Sequence, residues 1–376
     1  MIKRSLILII YFLFLFEFFS FLFTKFNLFT FNETPQIYKK NKNYSPGTLW
    51  RNESNSWGAW HKINAKDIHT LDCFDVSYES NNIGARDNFF SVNSKKKRSI
   101  VLGDSMTEGI GLSISERFDQ IIERKLKTEI LNFGSGGDLG PLAYYLIYKD
   151  LASKFEHENL FIFLFPQNDF TDHNLQIWDH NGWNVIDSEK RFRPYSKRIN
   201  DNKYEIVYEK KSKPRKNFDS DENTIDYKIK LWLKKYLWTT NVLRSISQKL
   251  KTSKEYNLID QNNIHKNSFY FNKLNTDNDA FFWLEKLLQA SLDKKVYIFI
   301  LPSIYDLELI KKNGISKPIW LSELSKLQDK NLNLKNIINL ANFFTDEPKS
   351  YFHTCDYHYN AKANIIISDV VTDLIF

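Results

Sequence analysis

The sequence predicts an α/β domain in which a central parallel sheet carries helices on its faces. From residue 98 onward, short apolar segments alternate with helical patterns, as in successive βαβ units. The segment Leu160–Phe165 is apolar throughout, which is typical of a strand covered on both faces. Twelve Gly, nine Pro and two Cys in 376 residues exclude collagen-like, Pro-rich and disulfide-scaffold architectures.

The predicted elements follow a regular order up to residue 170. They are a strand over Ser99–Gly103, a helix over Ser115–Lys127 capped by Ser115, a strand over Ile130–Phe133, a helix over roughly Pro141–Lys154, and the strand Leu160–Phe165. Residues 171–278 break this rhythm with charged, Asn-rich loops. We predict a strand at Tyr204–Tyr208 and an amphipathic helix within Ile225–Leu250 there, and interpret the whole stretch as an insertion.

The α/β pattern resumes after the insertion. It gives a helix near Ala280–Leu292, a strand at Val296–Leu301, two further helices, a short apolar segment at Ile337–Phe344 and a last helix at about Ala361–Leu374. We therefore predict a domain over 98–376 with its insertion at about 171–278. A tether and lead-in lobe over 26–97 precedes it.

The first 25 residues predict a transmembrane anchor. Lys3 and Arg4 precede an almost wholly apolar run, Ser5–Thr24, whose 20 residues span roughly 30 Å as a helix. The basic start favours a chain whose following domain lies outside the cytoplasmic membrane, in the periplasm or another extracytoplasmic space. No small-x-small cleavage site follows, so we favour an uncleaved anchor over a signal peptide. Glu17 is costly within this run, and we interpret it as a tolerated defect rather than a helix–helix contact.

The net charge of +7 comes from 52 basic and 45 acidic residues, and much of the excess sits in the runs Lys95–Arg98 and Lys210–Lys216. No nucleic-acid-binding signature accompanies these runs, so we predict no nucleic-acid partner. An extracytoplasmic location permits a disulfide between Cys73 and Cys355, and two free thiols are the open alternative.

Polar residues follow the predicted strands where their carboxyl ends meet at one edge of the sheet. Gly103–Gly109 (GDSMTEG) follows the first strand, Asn132–Asp138 (NFGSGGD) the second, and Asn168 the third. Asp356 and His358 lie near the carboxyl end. Ligands of open α/β sheets bind at this edge. A hydroxyl, an imidazole, a carboxylate and amide donors gathered there are the components of nucleophilic acyl transfer.

These segments resemble the sequence blocks of the SGNH (GDSL-like) serine hydrolases. Gly103-Asp104-Ser105 is similar to the first block, Asn132–Asp138 to the second, Asn168-Asp169 to the third, and Asp356-x-His358 to the fifth. Residues 81–87 (NNIGARD) are similar to the lead-in of exported, membrane-anchored bacterial members. The resemblance implies a flavodoxin-like three-layer sandwich with a central parallel sheet.

The resemblance also implies a role for each matched residue. Ser105 is the nucleophile, His358 its base and Asp356 the carboxylate that orients the base. The oxyanion is held by the backbone N–H groups of Ser105 and Gly137 and by the side-chain amide of Asn168. Gly136 is the alternative to Gly137, and His353 is the alternative base. Such a site needs neither metal nor cofactor.

Two weaker patterns have ordinary interpretations. Asp169, Asp172 and His173 have a metal-like spacing, but we expect hydrogen-bonded loop side chains with no metal, and Asp169 to brace the loop. His61 and His69 of the lead-in are expected to be satisfied by hydrogen bonds.

The preferred function is a membrane-anchored serine esterase acting on O-acyl, such as acetyl, groups of extracytoplasmic glycans. Its partners are then the acylated glycan or another ester substrate and, through the N-terminal helix, the membrane. The alternatives are an O-acyltransferase using the same site, a lipid-directed hydrolase and a catalytically inactive SGNH-like binding scaffold.

Overall fold

The computed structural model describes residues 2–26, 35, 50–71, 73–136, 139–174, 193–200, 203–208, 225–257, 268, 270, 279–314 and 317–375. The chain divides into two compact units. The smaller contains residues 1–45, 70–75 and 215–259, and the larger contains residues 46–69, 76–214 and 260–376.

The strands among the described residues are numbered in chain order. They are β1 (Trp50–Ser54), β2 (Gly58–His61), β3 (Lys66–Leu71), β4 (Phe74–Glu79), β5 (Arg98–Leu102), β6 (Glu129–Asn132), β7 (Asn159–Leu164), β8 (Pro194–Asn200), β9 (Lys203–Tyr208), β10 (Lys295–Ile300) and β11 (Leu334–Asn339).

The α-helices are numbered in the same way. They are α1 (Ile2–Lys25), α2 (Ser105–Glu108), α3 (Phe118–Leu126), α4 (Pro141–Asp150), α5 (Pro166–Asp169), α6 (Ile225–Tyr236), α7 (Trp238–Asn257), α8 (Asp279–Ala290), α9 (Ile304–Asn313), α10 (Leu321–Lys330) and α11 (Ala361–Ile375). Short 3₁₀ turns occupy Ile114–Glu116, Ala152–Lys154, Leu340–Phe343 and Pro348–Tyr351.

A five-stranded parallel sheet forms the centre of the larger unit. Its order is β11-β10-β7-β5-β6. All five residues of β5 are buried, and in β7 only the first residue is not, because these central strands are covered on both faces. The predicted α/β class with a central parallel sheet is confirmed, and the strand order is that of flavodoxin-like sheets.

Helices cover both faces of this sheet. The connections β5–β6 and β6–β7 run across the sheet in opposite directions, so right-handed crossovers place α3 and α4 on opposite faces. On its face α3 packs against α11, while α4 packs against α8. The chain direction reverses between β5 and β7, and the carboxyl ends of these two neighbours therefore border the crevice where such sheets bind ligands.

The helix predicted over Ser115–Lys127 corresponds to α3 and begins later than predicted. Ser113, not Ser115, forms the capping box with Glu116, because these two residues have the spacing for reciprocal bonds with each other's backbone. That box caps a 3₁₀ turn. Arg117 then takes an extended conformation, with φ −72° and ψ 147°, so α3 starts only at Phe118.

The smaller unit is built around α1. Its segment Arg4–Lys25, 22 residues, is long and apolar enough to cross a membrane. Between residues 225 and 257 the structure has two helices, α6 and α7, where the sequence predicts one, and the break lies at Leu237.

Glu17 of α1 caps the second of these helices. Its Oε1 accepts a hydrogen bond from the backbone N–H of Trp238 at 2.6 Å, and its Oε2 accepts from that of Thr239 at 3.0 Å. First-turn N–H groups have no partner within their own helix, so a carboxylate satisfies them well. Glu17 therefore makes a helix–helix contact, and its interpretation as a tolerated defect is wrong.

Neither Cys73 nor Cys355 is a free thiol in the structure, since both are disulfide-bonded.

Candidate active site

The turn after β5 presents Ser105 to the crevice. Asp104 caps α2 by accepting a hydrogen bond from the Met106 N–H at 2.9 Å, which leaves Ser105 half-buried as the first residue of the helix. Gly103 makes the turn possible. A Cβ at this position would lie 2.0 Å from the Thr107 Oγ1, so no larger residue fits without rearrangement.

An imidazole and a carboxylate complete a hydrogen-bonded chain with this hydroxyl. The Nε2 of His358 lies 2.8 Å from the Ser105 Oγ, and its Nδ1 lies 2.8 Å from the Asp356 Oδ1. The His358 and Asp356 side chains are 21% and 23% exposed, so a substrate can reach them.

The loop before α11 holds His358 in place from both sides. Phe352 and Tyr359 form an isolated antiparallel bridge, and the Tyr359 hydroxyl donates a hydrogen bond to the carbonyl of Pro302, just beyond β10. His353, the alternative base, donates its backbone N–H to the His358 carbonyl at 2.9 Å. The imidazole that faces Ser105 is therefore that of His358.

The electrostatics of this chain favour a base that is easily protonated. Burial lowers the pKa of His358, but the hydrogen bond and the charge of Asp356 outweigh it, and the net pKa is raised above 6.5. Burial raises the pKa of Asp356, but the hydrogen bond and charge of His358 outweigh it and hold that pKa below its ordinary value. The pair is thus arranged to stabilise an imidazolium beside a carboxylate.

Asn168 lies in α5, beyond the carboxyl end of β7. Its Nδ2 donates to the Asp104 Oδ2 at 3.1 Å, and this bond fixes the amide beside the Ser105 turn. Burial raises the pKa of Asp104 to about 6, against the opposing effects of His358, the Met106 N–H and the Asn168 amide. An amide nitrogen carries two hydrogens, so the same group can serve Asp104 and an oxyanion.

The loop after β6 is anchored by Asn132. The side chain of Asn132 donates to the Thr107 carbonyl at 2.9 Å and accepts from the Gly134 N–H at 2.8 Å. The Gly136 N–H is occupied by a bond to the Glu108 carboxylate. Gly137, the predicted donor, lies outside the described residues.

A buried ionic network beneath the site was not predicted. Arg117 pairs with Asp119, whose Oδ1 also accepts from the Asn132 side chain at 3.2 Å. Asp87 accepts from the Asn132 backbone N–H at 2.9 Å. The signal for Asp87 was its place in the NNIGARD lead-in, but nothing in the local pattern marked Arg117 or Asp119.

One of the three residues with metal-like spacing, Asp169, has the bracing role that the sequence predicts. Asp169 accepts from the Tyr144 hydroxyl at 2.8 Å and from the Phe165 N–H at 2.6 Å, and so braces the turn that carries Asn168. Within the described part of the chain, no three His, Cys, Asp or Glu residues are grouped closely enough to hold a metal ion.

Comparison with known proteins gives structural similarities only. No protein-family model and no curated protein matches the sequence. One similar solved structure is a member of the lipolytic protein G-D-S-L family from Veillonella parvula, with 12% identity and a TM-score of 0.34, covering 74% of this chain and 98% of that one. Another is a putative lipolytic protein of the G-D-S-L family from Desulfitobacterium hafniense, with 10% identity and a TM-score of 0.32, covering 74% of this chain and 99% of that one. A protein from Lactobacillus plantarum is 11% identical with a TM-score of 0.36, covering 76% of this chain and 100% of that one.

Because the similarity is this low, the chemistry of the site is inferred from the chain's own residues. A hydroxyl, an imidazole and a carboxylate joined in this order, with amide donors beside them, can perform nucleophilic acyl transfer.

Proposed function

We propose that this protein is a serine esterase that works through an acyl-enzyme. The observation that carries the proposal is the chain of two 2.8 Å hydrogen bonds that links the Ser105 Oγ to His358 and His358 to Asp356. Such contacts are the geometric requirement for an activated nucleophile, and Ser105 is 253 positions from His358 in the sequence.

The proposed reaction has two balanced steps. The Ser105 Oγ attacks the ester carbonyl while His358 Nε2 takes its proton, and the tetrahedral oxyanion is held by amide donors that include Asn168. His358 then gives the proton to the leaving alkoxide, which departs as an alcohol. Water attacks the acyl-enzyme in the second step with His358 again as base, releasing the carboxylic acid and restoring Ser105.

The finer part of the proposal is the substrate, an O-acyl group on an extracytoplasmic glycan. It is supported by the apolar helix α1 and by the basic residues Lys3 and Arg4 before its apolar run, which favour a catalytic unit outside the cytoplasmic membrane. The same acyl-enzyme could pass its acyl group to a sugar hydroxyl instead of to water, so the acceptor decides between esterase and acyltransferase.

A fluorophosphonate probe tests the activated serine. We would label the full chain in detergent micelles and locate the adduct by mass spectrometry, with the Ser105→Ala variant as the control. We expect one adduct, on Ser105, and none in the variant. Folded protein that remains unlabelled would reject the esterase proposal and favour a binding scaffold.

A second experiment tests the substrate and uses protein that has not been treated with the fluorophosphonate. Acetate release from O-acetylated glycans is measured with and without an added unacetylated oligosaccharide. Acetate release without transfer supports the esterase proposal. Acetyl groups recovered on the added oligosaccharide would instead show that the protein is an acyltransferase. Activity on vesicle phospholipids alone would overturn the glycan assignment.

A further inference from the structure

One buried carboxylate joins the nucleophile helix to the loop after β6. Glu108, the last residue of α2, is fully buried. Its Oε1 lies 3.0 Å from the His61 Nε2, and its Oε2 accepts a hydrogen bond from the Gly136 N–H. Gly136 precedes Gly137, the predicted oxyanion donor. We call the pair of side chains His61 and Glu108 the clamp.

The hydrogen-bond partners of His61 show which of its ring nitrogens carries a hydrogen. The Nδ1 of His61 lies 2.8 Å from the Gly84 carbonyl, which can only accept, so Nδ1 carries a hydrogen. The contact between Nε2 and Glu108 needs a second proton. Burial raises the pKa of Glu108, but the charge and hydrogen bond of His61, then Arg86 and the Gly136 N–H, outweigh it and lower that pKa to about 2. Glu108 is therefore held as a carboxylate, and both of its oxygens can accept hydrogen bonds.

The lead-in segment is shaped to hold the clamp. Gly84 has φ +85°, and a Cβ there would lie 2.6 Å from the His61 carbonyl oxygen, so only glycine allows this close approach. Arg86 donates to the carbonyls of Glu108 at 3.0 Å and Gly109 at 2.7 Å, and its guanidinium lies 3.5 Å from the centre of the Tyr78 ring. The end of α2 is therefore fixed by residues that precede β5 in the sequence.

We propose that the clamp is a positioning device of the active site: Glu108 and His61 hold the Gly136 peptide against the helix that begins with Ser105, so that the start of the loop after β6 keeps the geometry that turnover requires. This inference rests on the proposed esterase function. Neither side chain touches the reacting atoms, so both are positioning residues. The purely structural alternative is a buried ion pair that stabilises the fold without affecting turnover.

Three substitutions of Glu108 separate these alternatives. In Glu108→Gln the amide oxygen can accept from Gly136 while the NH₂ group faces the His61 Nε2, so the loop stays in place and kcat should remain within about fivefold of wild type. Glu108→Leu removes both acceptor oxygens. Glu108→Asp keeps them but shortens the side chain by one methylene group, which moves them away from His61 and Gly136. Because a misplacement of about 1 Å costs on the order of 10²-fold in rate, we expect both to lower kcat by about 10–100-fold with KM within about threefold.

Glu123 provides the matched control. It is a half-buried glutamate that also accepts from a backbone N–H, that of Ile130 at 2.7 Å, but this contact lies at the start of β6 rather than in the loop. Glu123→Leu should lower the melting temperature and leave kcat per titrated site unchanged. Fluorophosphonate titration of each sample supplies the concentration of competent sites.

Amide hydrogen exchange of Gly136 is the second readout and needs no turnover. We expect exchange about tenfold faster in Glu108→Leu and Glu108→Asp than in wild type, and little change in Glu108→Gln or Glu123→Leu. If the wild type does not label with fluorophosphonate, the proposed function fails while exchange still decides the clamp. Wild-type kcat per site in Glu108→Leu and Glu108→Asp, unchanged Gly136 exchange, or equal damage by Glu108→Gln would each overturn the positioning role.

Discussion

Asp356→Asn is the most informative single change at this site, because it alters the imidazole without removing it. An asparagine amide that donates to the His358 Nδ1 makes that nitrogen an acceptor and places the ring hydrogen on Nε2. In that tautomer Nε2 faces the Ser105 Oγ as a donor and cannot take its proton. The variant should therefore fold normally and react slowly.

The size of the loss follows from the exposure of Asp356. Replacing such an aspartate costs about 10⁴ in kcat where it is buried. Here the side chain is 23% exposed, so water and the alternative amide rotamer restore part of the correct tautomer. We expect a loss of about 10³, which at about 1.36 kcal/mol per tenfold is ~4 kcal/mol of transition-state stabilisation.

The pH profile gives a second, independent signature. Only neutral His358 is a base, so kcat/KM falls as pH drops through its pKa, which lies above 6.5 in the wild type. Removing the carboxylate removes the main effect that raises this pKa and leaves burial, which lowers it. The acid limb of the profile should therefore move to lower pH in the variant.

The assay is hydrolysis of an aryl acetate across pH 5–9 by full-length protein in micelles. His353→Ala is the matched control, because it removes the neighbouring imidazole of the same loop, and it should leave both the rate and the acid limb nearly unchanged. An Asp356→Asn enzyme within tenfold of wild type, or an acid limb that stays in place, would refute the reasoning. A large loss in His353→Ala would move the base to that residue.

Three further predictions concern other parts of the chain. Asn168→Ala should lower kcat on the order of 10²–10³-fold in the same assay, as the loss of one oxyanion donor does, and a loss below threefold would remove this residue from the oxyanion site. Alkylation of the unreduced, denatured chain should leave Cys73 and Cys355 unmodified and the peptide map should show them joined, whereas two alkylated thiols would exclude the bridge. Glu17→Leu should speed amide exchange in the first turn of α7, while Glu17→Gln retains one acceptor and should have a smaller effect; equal exchange in all three proteins would exclude the cap.

The sheet could be predicted from sequence because its strands are covered on both faces. Such strands form nearly continuous apolar runs, and β5, β7 and β10 start and end within one residue of their predicted positions. The apolar segment predicted at Ile337–Phe344 does not coincide with a strand, because β11 lies earlier in the chain, at Leu334–Asn339. Pairing of Val296 with Leu334 starts β11 earlier, and Asn339 ends it by accepting from the Ala341 N–H.

Elements fixed by distant contacts could not be predicted in this way. The apolar pattern of the insertion continues through Leu237, and nothing local announces the break between α6 and α7. The partner of the new helix terminus is Glu17, which is 221 residues from Trp238 in the chain.

The same distinction holds at the site. Ser105, Asn168, Asp356 and His358 were found because strand ends of a parallel sheet meet at one edge, and the structure brings these residues together there. His61 lies in a stretch of the chain without periodicity, so its contact with Glu108 of α2 had no sequence signal.

The hydrogen bond between Ser105 and His358 joins residues 253 positions apart. During synthesis the nucleophile is therefore made long before its base, and the intervening chain includes β6, β7, β10 and β11 of the central sheet. Closing so long a loop is among the slower steps of folding. Reactivity at Ser105 therefore reports more than local chemistry, because it requires that two distant parts of the larger unit have come together.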